Sequence, residues 1–220
     1  MERDRFREDG QGAIEYALIF ALIAGVVALA LALMGVSVRD VYCDVMGGMG
    51  KEVCSVDLTS WKVRRGKWSL GEPMCNKSSG QGSVFADGYT GKDAVITIDS
   101  AKLSRGNGYG VYFRATNVNK RLNGYTFQYD PGYGGGAFII RKWVHGHELP
   151  PLAVKKDRNF PWHGSDNKIQ LKIVGDTFTV FVNGEQVLVG KDDTYKEGGI
   201  GLRTWDGTRA CFKGISVKTP

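Results

Sequence analysis

The chain has 220 residues, a formal net charge of +6, 24% charged residues and 42% hydrophobic ones. These values call for a packed globular part and exclude a wholly disordered chain. Adjacent basic pairs such as Arg64-Arg65, Arg141-Lys142 and Lys155-Lys156 lie far apart in the sequence, which speaks against the gathered basic stripe of a sequence-specific nucleic-acid binder.

Residues 1–10, MERDRFREDG, are polar. The 23 residues 16–38 then carry no charge, enough to cross a hydrocarbon core of ~30 Å as a helix. Within this run Ala17, Ala21, Gly25, Ala28, Ala32 and Gly35 recur at steps of three and four, which lays small residues along one helix face where another helix can approach closely. Residues 43–56 lose that period around Gly47-Gly48 and read as a connector.

From residue 57 onward the period changes to two. Tyr125, Phe127 and Tyr129 alternate, as do Ile169, Leu171 and Ile173, then Phe178, Val180 and Val182. Gly175-Asp176 and Asn183-Gly184 follow such runs and predict hairpin turns. Further strands are expected near 84–86, 94–99, 109–115, 137–144, 186–189, 199–204 and 210–217. The fold class is therefore α+β: a long N-terminal hydrophobic helix, then an antiparallel β-sandwich or jelly roll over 57–220.

Cys43, Cys54, Cys75 and Cys211 form no C-x-x-C pair, so zinc and thioredoxin-like chemistry lack support. An even count suits disulfides in an oxidising compartment. Of the pairings that four cysteines allow, we favour Cys43 with Cys54, closing a small loop, and Cys75 with Cys211, tying the first strands to the last.

The N-terminus has three readings. A cleaved secretory signal needs a basic start and a core of about 7–15 apolar residues, and this start is acidic and its apolar core longer. A plain anchor would keep Arg3, Arg5 and Arg7 cytoplasmic but leaves Glu15, at the mouth of the apolar run, unexplained. The third reading rests on Gly10-Gln11-Gly12-Ala13-Ile14-Glu15-Tyr16, which resembles the processing site of type IV prepilins. The tract EYALIFALIAGVVALALALMG that follows resembles the tight-adherence (Tad, Flp-type) pilins.

That resemblance implies cleavage between Gly10 and Gln11 by a prepilin peptidase, a leader at 1–10 and an assembly helix at 11–42. It also implies a filament core in which Glu15, beside Tyr16, meets the new N-terminus of a neighbouring subunit. The partners it implies are other copies of the chain in a helical homopolymer, the pilus assembly machinery, and the membrane before assembly. The location is then an extracellular pilus, with the β-domain on its surface for adhesion, and no enzyme.

The stretch NKIQLKIVGDTFTVFVNGEQVLVGKDDTYKEGGIGLRTWDGTRACFKGISVK resembles the C-terminal half of concanavalin-like and laminin-G-like jelly rolls. Members of that superfamily bind glycans, bind proteins or hydrolyse glycans, so the alternative reading is a secreted or anchored glycan-binding or glycan-processing protein. No Glu-x-Asp-x-x-Glu run is present, and Glu148, Glu185 and Glu197 stand apart, so no catalytic residue is assigned. The cluster His145-Gly146-His147-Glu148 reads as a solvated loop rather than a metal site, Asp192-Asp193 as a polar hairpin tip rather than a calcium site, and no cofactor is expected. Asn76-Lys77-Ser78 is a glycosylation sequon. Trp61, Trp68 and Trp205 are assigned to the core. Tyr133, in a glycine-rich turn, and Trp143, at the start of a proline-bearing loop to Trp162, are the candidate residues for a surface glycan.

Overall fold

The computed structural model describes residues 5–33, 55–56, 58, 60–118 and 121–220. Two compact units divide the chain, Met1–Cys54 and Ser55–Pro220.

In the first unit the described element is α1 (Arg5–Leu33). It takes in Gly10 and Gln11 and begins before the 11–42 helix read from sequence. The side chains described there, at 14–27 and 29–30, are exposed, with Glu15, Tyr16, Ala17 and Ala21 among them. A Cβ added at Gly25 would meet nothing within 4 Å. The expectation of a transmembrane helix is corrected: among the described residues no helix is long and apolar enough to cross a membrane. Arg5, Arg7, Glu8, Asp9 and Glu15 occupy its first part. The side chains of Ala28 and Ala32, together with Gly35, Cys43 and Cys54, lie outside the described residues.

The second unit is built of strands. In chain order the first eight are β1 (Ser55–Val56), β2 (Trp61–Arg65), β3 (Trp68–Ser69), β4 (Met74–Asn76), β5 (Gly82–Ala86), β6 (Ala94–Arg105), β7 (Tyr109–Val118) and β8 (Arg121–Asp130). They continue with β9 (Ala137–Val144), β10 (His147–Lys156), β11 (Asp166–Val174), β12 (Thr177–Val182), β13 (Glu185–Lys191), β14 (Gly199–Thr204) and β15 (Arg209–Lys218). One sheet has the order β13-β12-β11-β6-β15-β4-β3, with β1 also paired to β15, and the other runs β10-β9-β8-β7-β14-β5-β2. Every pairing is antiparallel, so this unit is an all-β sandwich of the jelly-roll type.

The period-two runs explain the layering. Ile169, Leu171 and Ile173 lie opposite Val182, Val180 and Phe178, and all six are buried. From the other sheet Tyr125, Phe127 and Tyr129 face them, with Val111, Phe113, Phe138, Ile140 and Leu202. Aromatic rings lock the interior: Tyr109 stacks on Tyr129 at 4.7 Å and meets Phe212 edge-on at 5.1 Å, and Phe113 meets Phe178 edge-on at 5.0 Å. Asn183 and Gly184 take positive φ values of 53° and 84°, the backbone that a two-residue hairpin requires.

Three sequence expectations change. The loop expected between Trp143 and Trp162 holds β10, a 10-residue strand carrying Pro150 and Pro151. It tolerates both because it is an edge strand, paired with β9 alone, and its register shifts on either side of Pro151. Asn76, the sequon residue, is 2% exposed, and its amide donates to Thr204 Oγ1 at 2.8 Å and to the Thr208 carbonyl at 3.1 Å. That amide is engaged inside the fold and is unavailable for a glycan. The connector read over 43–56 ends in β1, which belongs to the β-unit. Cys75 and Cys211 are cross-strand partners of β4 and β15, joined by a disulfide with Cα atoms 4.1 Å apart.

Candidate functional site

Alternation that sends one set of side chains into the core sends the next set to the outer face of the seven-stranded sheet. On β7 that face receives Gly110 and Tyr112, on β8 Thr126 and Gln128, on β9 Arg141 and Trp143, on β14 Gly201 and Arg203, and on β5 Ser83 and Phe85. A small apolar cluster of Phe85, Tyr112, Ala115 and Leu122 forms there, with Trp143 against it. Phe85 and Tyr112 stack at 5.1 Å, and Trp143 meets Tyr112 edge-on at 6.5 Å.

Two glycines make room for these side chains. A Cβ at Gly110 would come within 2.9 Å of the Arg203 Cγ, and one at Gly201 within 3.0 Å of the Phe85 ring. The absent methyl groups let a long arginine and an aromatic lie flat on the sheet.

Arg203 is the centre of the face. Its guanidinium carbon sits 4.7 Å from the Trp143 ring centroid and 4.9 Å from that of Trp205, a cation held between two indoles. Arg203 Nη1 lies 3.1 Å from Glu148 Oε1, and the Gln128 amide donates to the same carboxylate oxygen. Gln128 Oε1 in turn accepts from Arg141 Nε at 3.1 Å, and Arg141 Nη1 donates to the Leu149 carbonyl at 3.1 Å. The Trp143 indole N–H donates to Thr126 Oγ1 at 2.5 Å, which fixes the ring plane. Thr126 and Gln128 are 0% and 1% exposed although they point away from the core, because these long side chains close over them.

A groove of about 690 Å³ opens beside this cluster. Tyr112, Trp143 and Arg203 line it as an aromatic and cationic surface, with Arg64, Arg65, Asn117 and Gly146 around them. Burial raises the Tyr112 phenol above its ordinary pKa, so it faces the groove as a neutral donor. Burial also raises the Asp130 carboxyl at the end of β8, with the negative charge of Glu148 adding to the shift, while the backbone N–H groups of Tyr133 and Gly132 and the charge of Arg141 oppose it.

Of the residues singled out from sequence, Trp143 lines the groove and is half-buried. Tyr133 lies in the turn after β8, with the Arg141 guanidinium 5.6 Å and the Lys156 ammonium 6.0 Å from its ring centroid. The two aromatics are linked by the chain of contacts through Arg141, Gln128, Glu148 and Arg203. Trp61, Trp68 and Trp205 pack against the main core as half-buried residues, and Trp205 also covers Arg203. His145 and Gly146, with φ of 50° and 84°, form the turn between β9 and β10. Among the described residues no three His, Cys, Asp or Glu side chains are grouped to hold a metal. Asp192 accepts from Tyr125 and is paired with Lys142 at 2.6 Å, while Asp193 pairs with Lys196 at the surface.

Sequence reading missed Arg203, Gln128, Arg141 and the pairing of Glu148. The signal is the same alternation that found the core: in GIGLRTW and YTFQYD the residues between the inward-facing ones turn to the opposite face of the sheet.

The sequence matches the family described as 3-keto-alpha-glucoside-1,2-lyase-like domain over residues 52–218. No curated protein matches the chain by sequence. Among solved structures it is similar to the carbohydrate-binding module CBM66 from Bacillus subtilis, with 20% identity, a TM-score of 0.64, and coverage of 74% of this chain and 98% of that one. It is also similar to the exoplasmic/lumenal domain of VIP36 in its Ca2+/Man3GlcNAc-bound form, with 13% identity, a TM-score of 0.54, and 73% and 85% covered. The β-glucanase of Bacillus licheniformis gives 10% identity, a TM-score of 0.54, and 77% and 100% covered.

These matches overturn the pilin reading. The similarity runs to jelly rolls named for sugar binding or cleavage, and it supports the alternative reading instead of a filament subunit. The helical homopolymer, the prepilin peptidase and the pilus assembly machinery fall with it as partners. Through its β-sandwich the chain belongs to the family of 3-keto-alpha-glucoside-1,2-lyase-like domains.

Proposed function

We propose that the groove on the outer face of the seven-stranded sheet binds a glycan. The observation that carries this reading is the groove itself, in which Trp143 and Tyr112 lie beside Arg203 and the polar residues Gln81, Ser83 and Asn117. An aromatic plane takes the apolar face of a sugar ring, and converging donors and acceptors take its hydroxyls. The indole of Trp143 is held by Thr126 and Arg203 before any ligand arrives, so little ordering remains to be done on binding. The likeness to a carbohydrate-binding module and to a Man3GlcNAc-bound domain supports the same reading.

The test is calorimetry of the full chain against a panel of oligosaccharides, with Trp143→Ala as the variant. Binding should weaken about tenfold or more in the variant, as for a central aromatic contact. An unchanged Kd, with the near-ultraviolet circular dichroism of the folded protein retained, would overturn the groove as the site.

A second reading is sugar cleavage, favoured by one observation. Burial raises the Asp130 carboxyl, and the alternation of β8 and the pairing of Glu148 with Trp143 put both carboxylates on the outer face of one sheet. In a 1,2-elimination on a 3-keto-glucoside the ketone acidifies the C2 proton. A base takes that proton, the C1–C2 double bond forms, and the C1–O bond breaks with protonation of the leaving oxygen. Glu148 suits the base and Asp130 the acid. The Glu148 carboxylate is already engaged by Arg203 and by the Gln128 amide, which is why binding is the leading reading. Glu148→Gln should abolish turnover of a 3-keto-glucoside while the glycan still binds; equal turnover in the variant would remove Glu148 from the chemistry.

A further inference from the structure

The edge of the groove breaks the alternation rule. On β2, Val63 is opposite Val84 and Arg65 is opposite Ser83, so Arg64 is an extra residue in the strand. Such a bulge turns consecutive side chains toward one side. Val63, Arg64 and Arg65 consequently all line the groove. Arg65 Nη1 donates to Gln81 Oε1 at 2.8 Å, which orients the guanidinium and leaves its charge in place. Arg64 forms no ion pair among the described residues, and both arginines are exposed.

A second depression of about 490 Å³ shares Arg65 and Gln81 with the groove. Lys67, Lys77 and Arg209 line it, and Asp206 is the one carboxylate in that lining. None of these three cations forms an ion pair among the described residues. Elsewhere on the same unit some cations have carboxylate partners, as in Lys62 with Asp87 and Lys102 with Asp166, while others, such as Arg121 and Lys172, form no ion pair among the described residues but do not line these depressions. Five cations without an ion pair among the described residues, Arg64, Arg65, Lys67, Lys77 and Arg209, thus follow one track, from the aromatic floor of the groove across Arg65 into the neighbouring depression.

We propose that this track selects anionic polysaccharides, with a sugar ring on Trp143 and carboxylate or sulfate groups of successive residues on Arg64, Arg65 and the cations beyond. The inference rests on the glycan-binding reading of the groove and adds its ligand class. Guanidinium groups suit planar or tetrahedral oxyanions through paired N–H donors. Two connected depressions suit a chain rather than a single sugar. A duplex nucleic acid would use the charge but not the aromatic floor, so it is set as a competing outcome.

The experiment is calorimetry of the full chain with three probes of matched length: an oligogalacturonate, a heparin-type sulfated oligosaccharide and a neutral glucan oligosaccharide. The acidic probes should bind about tenfold or more tighter than the neutral one, with the advantage shrinking at high salt. The double variant Lys67→Gln/Lys77→Gln, in the neighbouring depression and outside the groove lining, should cut that advantage about threefold or more yet bind the neutral probe within about twofold of the parent, which also reports that the groove is folded. Whichever acidic probe binds tighter identifies the anion. Acidic probes binding no tighter than the neutral one would overturn this inference and leave the groove reading standing. Silence with all three probes would overturn both. Equal competition by duplex DNA would mark an unspecific polyanion surface and overturn the ligand class.

Discussion

Asp192 sits where groups from three parts of the chain converge. Lys142 Nζ lies 2.6 Å from Oδ2, the Tyr125 hydroxyl donates to Oδ1 at 2.6 Å, and the Thr194 backbone N–H donates to the same oxygen at 2.9 Å. Burial alone would push the carboxyl up; the hydrogen bonds from Lys142, Thr194 and Tyr125 outweigh it and hold the pKa well below the usual carboxylate range. A group depressed in the folded state stabilises above its unfolded pKa of about 3.9, and that stability is lost as pH falls toward the folded value. With side chains 12% and 20% exposed, the Asp192–Lys142 pair is shielded from water and salt. Denaturant midpoints should therefore show Asp192→Asn less stable than the parent by roughly 1–3 kcal/mol at pH 7, the gap closing below about pH 3. A gap that persists undiminished at low pH would assign the loss to packing instead. From sequence Asp192-Asp193 read as a hairpin tip, because its partners lie 67 and 50 residues away and no local pattern announces them. Arg203 escaped for the same reason: it reads as an ordinary outward residue until Trp143, Trp205 and Glu148 are folded around it.

At the scale of elements, what could be read was whatever obeys a period or a turn rule. The run Ile169, Leu171, Ile173 gave β11, and Phe178, Val180, Val182 with the Asn183-Gly184 turn gave β12 and its hairpin to β13, since side-chain alternation and positive φ are both written locally. β10 escaped because prolines read as loop, and only the pairing of β9 on one side shows that an edge strand can hold them. The Arg64 bulge escaped because an added residue leaves no mark in composition. The short strands β3 and β4 are held at the sheet edge against β15, and the Cys75–Cys211 bond joins β4 to β15 across 136 residues of sequence. Closing so long a loop in the unfolded chain is worth up to about 5 kcal/mol in chain entropy, of which disulfides typically deliver about 2–4. Replacing both cysteines by alanine should then lower the melting temperature by about 6–12 °C in calorimetry. A shift under about 2 °C would show that pairing of β15 with β6 alone holds this edge, and that the disulfide is dispensable.

At the scale of the whole molecule, charge that looks scattered along 220 residues is gathered by the fold: Arg64, Arg65, Lys67, Lys77 and Arg209 meet along one track only when β2, β4 and β15 are brought together. The opposite holds for the apolar residues. The main core draws its buried members from Met74 to Val217, with Leu58 and Trp61 packed against it. Both sheets close on each other through those residues alone among the ones described, and the compact unit begins at Ser55. An apolar interior complete within one stretch should fold as one cooperative unit. A fragment of residues 55–220 should accordingly melt in a single transition within about 2–4 °C of the β-unit transition in the full chain, followed by near-ultraviolet circular dichroism of its buried tyrosines. It should also bind the same oligosaccharides with the same Kd, because every described residue lining the groove lies within it. A fall of more than about 10 °C, or loss of binding with the melt unchanged, would show that residues before Ser55 complete the core in the first case and the groove in the second.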